Sequence, residues 1–511
     1  MEDRDPYRVV WDTPSEDYNG SMPLGNGEVA LNAWVEPSGD LRFYVARTDS
    51  WDDYGRLVKI GAIRIHIDGD PEEKVDSFRQ VLNVKNATLN ARYAKGGNEV
   101  DLRLWVDANR PIIVMEAYTR KPVSAVATIE LWRKRQKELL DVEVSDIFFK
   151  RTDKTVVEPD IVLTGLEEII GCCHHNVKSI GPDLCARIQG VVDFPRKDPL
   201  LQRTFGLIVA TERSEKINDL ELKSKTGESH VFETAVYTKH PADLQEWLYE
   251  TRRILDEARA IPLTKRRKEH EEWWMGFWDR SWIHISENSP CESSGDAFVL
   301  TQAYTLQRYV NACAGRGGYP IKFNGSLFTV PSDEKPDDPD YRRWGPGYWW
   351  QNTRLPYYTM CASGDFEMMQ PLFKMYTGLM PFFKFRTKRY FGHAGAYIPE
   401  CIYFWGDVFT EAYGWKPFEE RTDKLQESRW HKWEWIAGIE LAWLMLDYFD
   451  YTRDEKFLRE VALPFAQEIL TFFDQHYDSG PDGKMCIHPV QALETWWECV
   501  NPMPEIAGLH A

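Results

Sequence analysis

A chain of 511 residues, 43% hydrophobic and 28% charged, is longer than one ordinary domain and has the composition of two or three packed units. Its formal net charge of −18 argues against nucleic acid or an anionic membrane as partner, because both call for a basic surface. No apolar run is long enough to span a bilayer, and the opening MEDRDPYRVVWDTPSEDYNG lacks the basic start and apolar core of a signal peptide.

Residues 1–240 read as β structure. LRFYVARTDSW, IGAIRIHIDG, ATLNARYAKGGNEVDLRLWVDANRPIIVMEAYT and VVDFPRKDPLLQRTFGLIVATE are short runs rich in Val, Ile, Tyr, Phe and Thr. Many alternate apolar with polar, and Gly, Asn, Asp and Pro separate them, which predicts a large sandwich. From 241 to 289 the period changes: Leu244, Trp247, Leu248 and Leu255 fall near helical spacing among charges, as in a helical linker. After 290 helices dominate. DAFVLTQAYTLQRYVNACAG ends on glycine, FEMMQPLFKMYTGLMPFFKFRTKRYF is expected to break near Gly378 and Pro381, and WHKWEWIAGIELAWLMLDYFDYT is apolar on nearly every side. Long aromatic loops separate these helices, and loops of that length in a compact domain usually carry function.

The chain holds 21 tryptophans, and aromatic residues make up 14% of it. Flat indole faces suit sugar rings, although a large helical core uses them equally well. Nine scattered cysteines give no disulfide framework. CCHH, residues 172–175, resembles a metal cluster in composition, but four adjacent residues rarely serve one ion, so no metal is expected. Asn19, Asn86 and Asn324 begin glycosylation sequons, which are too short to decide a compartment. No GxSxG elbow is present, and GRGGYP lacks the lysine of a phosphate loop.

Two carboxylates stand in aromatic surroundings. Glu494 in ALETWWE precedes Trp496 and Trp497, and Glu400 follows a proline in YIPECIYFWGD. Burial against rings disfavours a carboxylate anion, so such a group would keep a proton for use as an acid. The competing reading of Glu494 is a helix N-terminal glutamate bonded to backbone amides.

Five stretches in order carry a resemblance: MPLGNGEVALNAWV, FYVARTDSWDDYG, WWQNTRLPYY, LDYFDYTRDEKFLREVALPFAQEILTFFDQHY and PVQALETWW. Together they resemble the glycoside hydrolases of family 95, α-L-fucosidases and α-L-galactosidases, and more closely relatives defined by a domain of unknown function, DUF5703. The resemblance covers nearly the whole chain. It implies a β super-sandwich (1–240), a helical linker (241–289) and an (α/α)6 barrel of the six-hairpin glycosidase type (290–511). The activity implied is inverting hydrolysis of a terminal glycosidic bond in a plant or microbial glycan, on a fucoside- or galactoside-like substrate, with no cofactor. It further implies an extracellular or periplasmic setting, while the visible N-terminus leaves the cytoplasm open.

By the same resemblance Glu494 takes the place of the general acid. Asn352 falls on the second of two asparagines that hold the attacking water. The first is replaced by Trp350, whose indole N–H cannot accept from water, with Gln351 between as the substitute. The alternative for Asn352 is a helix N-cap. Trp344, Trp349, Trp350 and Arg354 are candidates for the sugar subsite, with Asn324, Glu400, His431, Trp496 and Trp497 around it. His431, Trp433 and Trp435 are expected on a helix, where the two tryptophans cannot face one way.

Only about half the helices of such a barrel are predicted before Ala511, and the family's carboxylate that orients the asparagines lies further downstream. An incomplete barrel is therefore expected, with apolar faces left exposed. Two rivals stand beside the hydrolase: a glycan-binding protein that does not turn over, and a carbohydrate phosphorylase or lyase on the same barrel.

Overall fold

The computed structural model describes residues 8–67, 69, 72–145, 147, 155–179, 181–287 and 295–511. Two antiparallel sheets make a sandwich. Nine strands form one sheet in the order Val9–Trp11, Ser77–Asn83, Thr88–Lys95, Asn98–Val106, Ile112–Val123, Gly227–Lys239, Thr204–Thr211, Ile169–His175 and Ile161–Val162. Seven strands form the other: Glu215–Asn218, Glu221–Lys223, Ala125–Glu130, Gly61–Ile67, Leu41–Arg47, Val29–Val35 and Met22–Gly25.

The two-residue period decides which side chain meets which layer. On Thr204–Thr211, Phe205, Leu207 and Val209 join the core between the sheets, while Ile208 and Ala210 point outward. The outward set is covered by helix Leu244–Arg259, which buries Trp247, Leu255 and Ala258 against it. Asp243 caps this helix by accepting from the Glu246 amide at 2.8 Å, and the Trp247 indole donates to the Tyr237 carbonyl at 2.9 Å. The segment expected to link two units is thus packed on the sandwich. The boundary expected at 289 lies outside the described residues.

The CCHH run sits on strand Ile169–His175, where neighbours face opposite ways. Cys172 enters the inner core and Cys173 the outer one. His174 lies between Asp160 at 3.0 Å and Asp53 at 3.6 Å. Burial alone would push its imidazole down, but the two carboxylates hold it up, to about 9. The same network continues through Arg133, which donates to Asp160 at 2.9 Å and to Asp340 at 2.5 Å. Asp340 also accepts from the Trp132 indole at 2.7 Å and the Lys59 amide at 2.9 Å, so a loop of the C-terminal half is pinned to the sandwich.

The helical part comprises Asp296–Ala314, Phe366–Phe391, Ile436–Thr452 and Leu463–His476, with several single turns. A closed ring of six hairpins is not itself displayed by the described residues. The break expected at Gly378 and Pro381 does not occur, because Phe366–Phe391 runs unbroken for 26 residues. An interior proline costs roughly 3 kcal/mol. Each large apolar side chain buried contributes roughly 1.5–3 kcal/mol, and this helix buries Met368, Leu372, Phe373, Tyr376, Phe382 and Phe383.

The GNG turn explains how the halves meet. The Gly27 amide donates to the Cys313 carbonyl at 2.9 Å, and the Arg316 amide donates back to the Gly27 carbonyl at 2.9 Å. A Cβ on Gly25 would stand 2.3 Å from that Cys313 oxygen, and Gly27 holds φ +94°. The C-terminal end of Asp296–Ala314 can approach the sheet only because both positions lack a side chain.

Candidate active site

Strand pair Tyr348–Trp349 and Cys401–Ile402 brings two aromatic loops together, with Trp349 opposite Cys401. The pairing sets Glu400 at the mouth of the one-turn helix Trp350–Thr353. The Glu400 carbonyl accepts from the Trp350 amide at 2.9 Å, and its carboxylate accepts from the Gln351 amide at 2.5 Å. A carboxylate over free helical amides is electrostatically favoured there. From the sandwich side Trp51 stacks on Phe404 with ring centroids 4.7 Å apart, bracing the loop that carries Glu400.

Glu494 occupies the turn of a hairpin between Val490–Ala492 and Trp496–Cys499, not a helix end. Its Oε2 accepts from the Gln351 side-chain amide at 3.0 Å and lies 3.8 Å from His431 Nε2. His431 Nδ1 faces Glu434 Oε2 at 2.7 Å. Gln351, Glu400, His431, Glu434 and Glu494 therefore form one contiguous polar cluster.

The tryptophans do not enclose Glu494 as the sequence led us to expect. Its side chain is 47% exposed, and Trp496 is 67% exposed. Hairpin geometry is the reason: the turn lifts Glu494 out, and adjacent residues on Trp496–Cys499 leave the strand on opposite sides. The Trp497 indole donates to the Glu494 carbonyl at 2.6 Å and meets Trp430 edge-on at 5.6 Å. Trp430 is itself 49% exposed, so an open aromatic surface borders the carboxylate.

Glu400, by contrast, is enclosed. Burial, then the neighbouring Glu434 charge, push its carboxyl well above the usual range. Glu505 on Met503–His510 is also buried, and burial carries its carboxyl up to about 8.

The remaining candidates divide. Trp350 is buried; its indole donates to Glu440 at 2.7 Å and its ring meets Tyr376 edge-on at 5.6 Å. Arg354 is ion-paired with the same Glu440 carboxylate, so its charge is already engaged. Asn352 sits inside the one-turn helix, whose N-cap is Trp349, and so is not a cap. Trp349 packs on Phe409 at 5.0 Å and on Phe323 at 5.6 Å, and exposed Trp344 lies 6.4 Å from the Phe323 ring. The Asn324 amide donates to the Arg343 carbonyl at 2.6 Å. This second aromatic patch has no hydrogen bond or ring contact with Glu494 among the described residues. His431, Trp433 and Trp435 precede the helix rather than ride on it, since Ile436–Thr452 begins after them and His431 holds φ +66°. Trp435 serves packing against Tyr397 and Phe472.

Sequence reading did not pick out Glu434, Glu440 or Glu505. The signal available was spacing: Glu434 lies three residues after His431, and Glu440 stands within an otherwise apolar helical run.

The fold has relatives among solved structures. A protein from the human microbiome that carries the name of a kojibiose phosphorylase superposes with a TM-score of 0.58 at 13% identity, over 96% of this chain and 62% of that one. The chain thus spans about three fifths of that protein's length, and the likeness concerns fold. A bacterial glucoamylase complexed with acarbose gives 0.37 at 8% identity, over 95% of this chain and 74% of that one. A family GH92 α-mannosidase from Bacteroides thetaiotaomicron gives 0.24 at 8% identity, over 59% of this chain and 39% of that one. No curated protein sequence matches. The model of the DUF5703 family, described as a domain of unknown function, matches residues 10–283, more than half of the chain, and the chain belongs to that family.

Proposed function

We propose that this chain is a carbohydrate-active enzyme, specifically a glycoside hydrolase that inverts the anomeric centre, with Glu494 as general acid. One observation carries the reading. Glu494 is presented at a hairpin tip beside exposed tryptophans, with one carboxylate oxygen fixed by the Gln351 amide and its side chain 47% exposed. An acid so placed can meet the leaving oxygen of a sugar stacked on the indoles. The sandwich-plus-helices likeness to a protein named for a kojibiose phosphorylase supports the coarser reading, a carbohydrate-active enzyme.

Inversion needs a water on the opposite face of the sugar, with roughly 6.5–9.5 Å between the acid and the group that activates it. Gln351 touches the acid and is too near for that task, so it acts as a positioning residue. Asn352, on the one-turn helix Trp350–Thr353 next to Gln351, is the group assigned to water. A fucoside- or galactoside-like substrate and a six-hairpin barrel complete this reading, both by family resemblance, as does an extracytoplasmic setting.

The test uses a panel of α-fucosides, α-galactosides and α-glucosides, with and without inorganic phosphate, and product anomers followed by NMR. Glu494→Gln is expected to lower turnover by about 10²–10⁴-fold, and unchanged turnover would remove Glu494 from the chemistry. Strict phosphate dependence would make the protein a phosphorylase instead.

A second reading has its own observation. Glu400 and Glu434 are buried and Glu440 is held by Arg354, so none of these is a base open to water. A glycan-binding protein without turnover would bind sugar in calorimetry and release no product.

A further inference from the structure

Beneath Glu494 three side chains converge from two loops. Glu400 stands just ahead of Cys401–Ile402, and His431 and Glu434 stand in the turn ahead of Ile436–Thr452. One ligand-capable atom of each lies within 4.8 Å of the other two. All three residues are buried, at 1%, 7% and 1% exposure.

The hydrogen bonds around them leave acceptors over. Glu400 Oε1 takes the Gln351 amide and Glu434 Oε2 takes His431. Glu400 Oε2 and Glu434 Oε1 are shut off from solvent and receive no donor among the described residues. Glu505, on which the Glu434 charge bears, is met by its own backbone amide and by no side-chain donor among the described residues. Buried carboxylates are ordinarily paired with a cation or bound to a metal. Arg354, whose charge acts on Glu400, is already committed to Glu440.

Donors bonded to one small divalent ion at about 2.0–2.2 Å cannot stand more than about 4.4 Å apart. The observed limit of 4.8 Å meets that after a slight inward movement of side chains. One imidazole nitrogen with two carboxylates suits a transition ion, whereas calcium gathers six to eight oxygens. We propose that Glu400, His431 and Glu434 form a binding site for one divalent transition-metal ion of the zinc or manganese class. The ion would fix Glu400, which seats the Gln351 amide, and so would hold the residue that orients Glu494. This site stands or falls independently of the hydrolase reading.

The test uses the whole chain, treated with a chelator and then titrated with Zn²⁺, Mn²⁺ or Co²⁺. Expected are one saturable site per chain by calorimetry, a rise in Tm, and visible Co²⁺ bands without a sulfur-to-cobalt charge-transfer band. Glu434→Gln and His431→Asn should each weaken binding at least tenfold, while Glu498→Gln on the surface should not. Absence of saturable uptake by the wild-type chain would overturn the proposal. So would a sulfur charge-transfer band that vanishes in Cys486→Ser, because Cys486 is an exposed thiol able to take zinc. The wild-type cobalt spectrum decides the matter even where a variant fails to fold.

Discussion

Two groups of buried charges lie in this molecule, and they are built oppositely. Between sandwich and loop, Arg133 and His174 stand among Asp53, Asp160 and Asp340, so each carboxylate faces a cation. In the helical part Glu400, Glu434 and Glu505 share a region where several carboxylate oxygens receive no side-chain donor among the described residues and where carboxylates outnumber cations. The first arrangement sets its carboxylates against cations and fixes geometry, even though Asp53 Oδ2 and Asp160 Oδ2 receive no hydrogen bond among the described residues. The second is left wanting a proton, an ion or a ligand, which is where chemistry is to be sought.

The largest effect expected from breaking this contrast is on the charge-paired side. Arg133→Ala leaves Asp160 and Asp340 buried and uncompensated, and should cost about 3–5 kcal/mol in chemical denaturation. A loss below 1 kcal/mol would show the network to be incidental. Next comes pH. His174 is held up to about 9 against an ordinary 6.5, so its contribution is fully present below pH 6.5 and is lost as pH rises through 9. That shift corresponds to about 3 kcal/mol. Denaturation midpoints measured across pH 6–10 should fall accordingly, and His174→Gln should flatten the slope.

On the unsatisfied side the sign reverses. Glu505→Gln removes a charge buried without a partner, and above pH 8 it should stabilise the protein by about 1–2 kcal/mol. Destabilisation at that pH would mean that a cation is paired with Glu505 in the folded protein. The smallest effect on stability is expected at Trp496, exposed at the hairpin. Trp496→Ala should leave stability within about 0.5 kcal/mol while weakening glycan binding in calorimetry, and unchanged binding would move the aromatic platform elsewhere.

The change from β to helical structure near residue 240 was legible, because period-two alternation and turn residues are local properties. The pinning of one half on the other was not, since it depends on Asp340 meeting Trp132 and Arg133, more than two hundred residues away. The site was legible in part. Glu494, Gln351, Glu400 and His431 do come together, yet Glu494 and Glu400 hold different environments from those their neighbours in sequence suggested. Adjacent tryptophans say little about enclosure when a hairpin turns them outward, whereas Glu400 is enclosed by residues from other segments. Glu434 and Glu440 read as ordinary polar positions near a helix, and only tertiary packing sets them beside the other carboxylates.

The stacking of Trp51 on Phe404 also sets a timetable. Phe404 follows Trp51 by 353 residues. At about 5–20 residues per second a ribosome needs roughly 20–70 seconds to cover that distance. Once Lys239 has completed the last strand of the sandwich, the rest of that interval leaves the indole uncovered, so synthesis itself imposes a wait in which a chaperone has reason to occupy the surface later taken by the loop that carries Glu400.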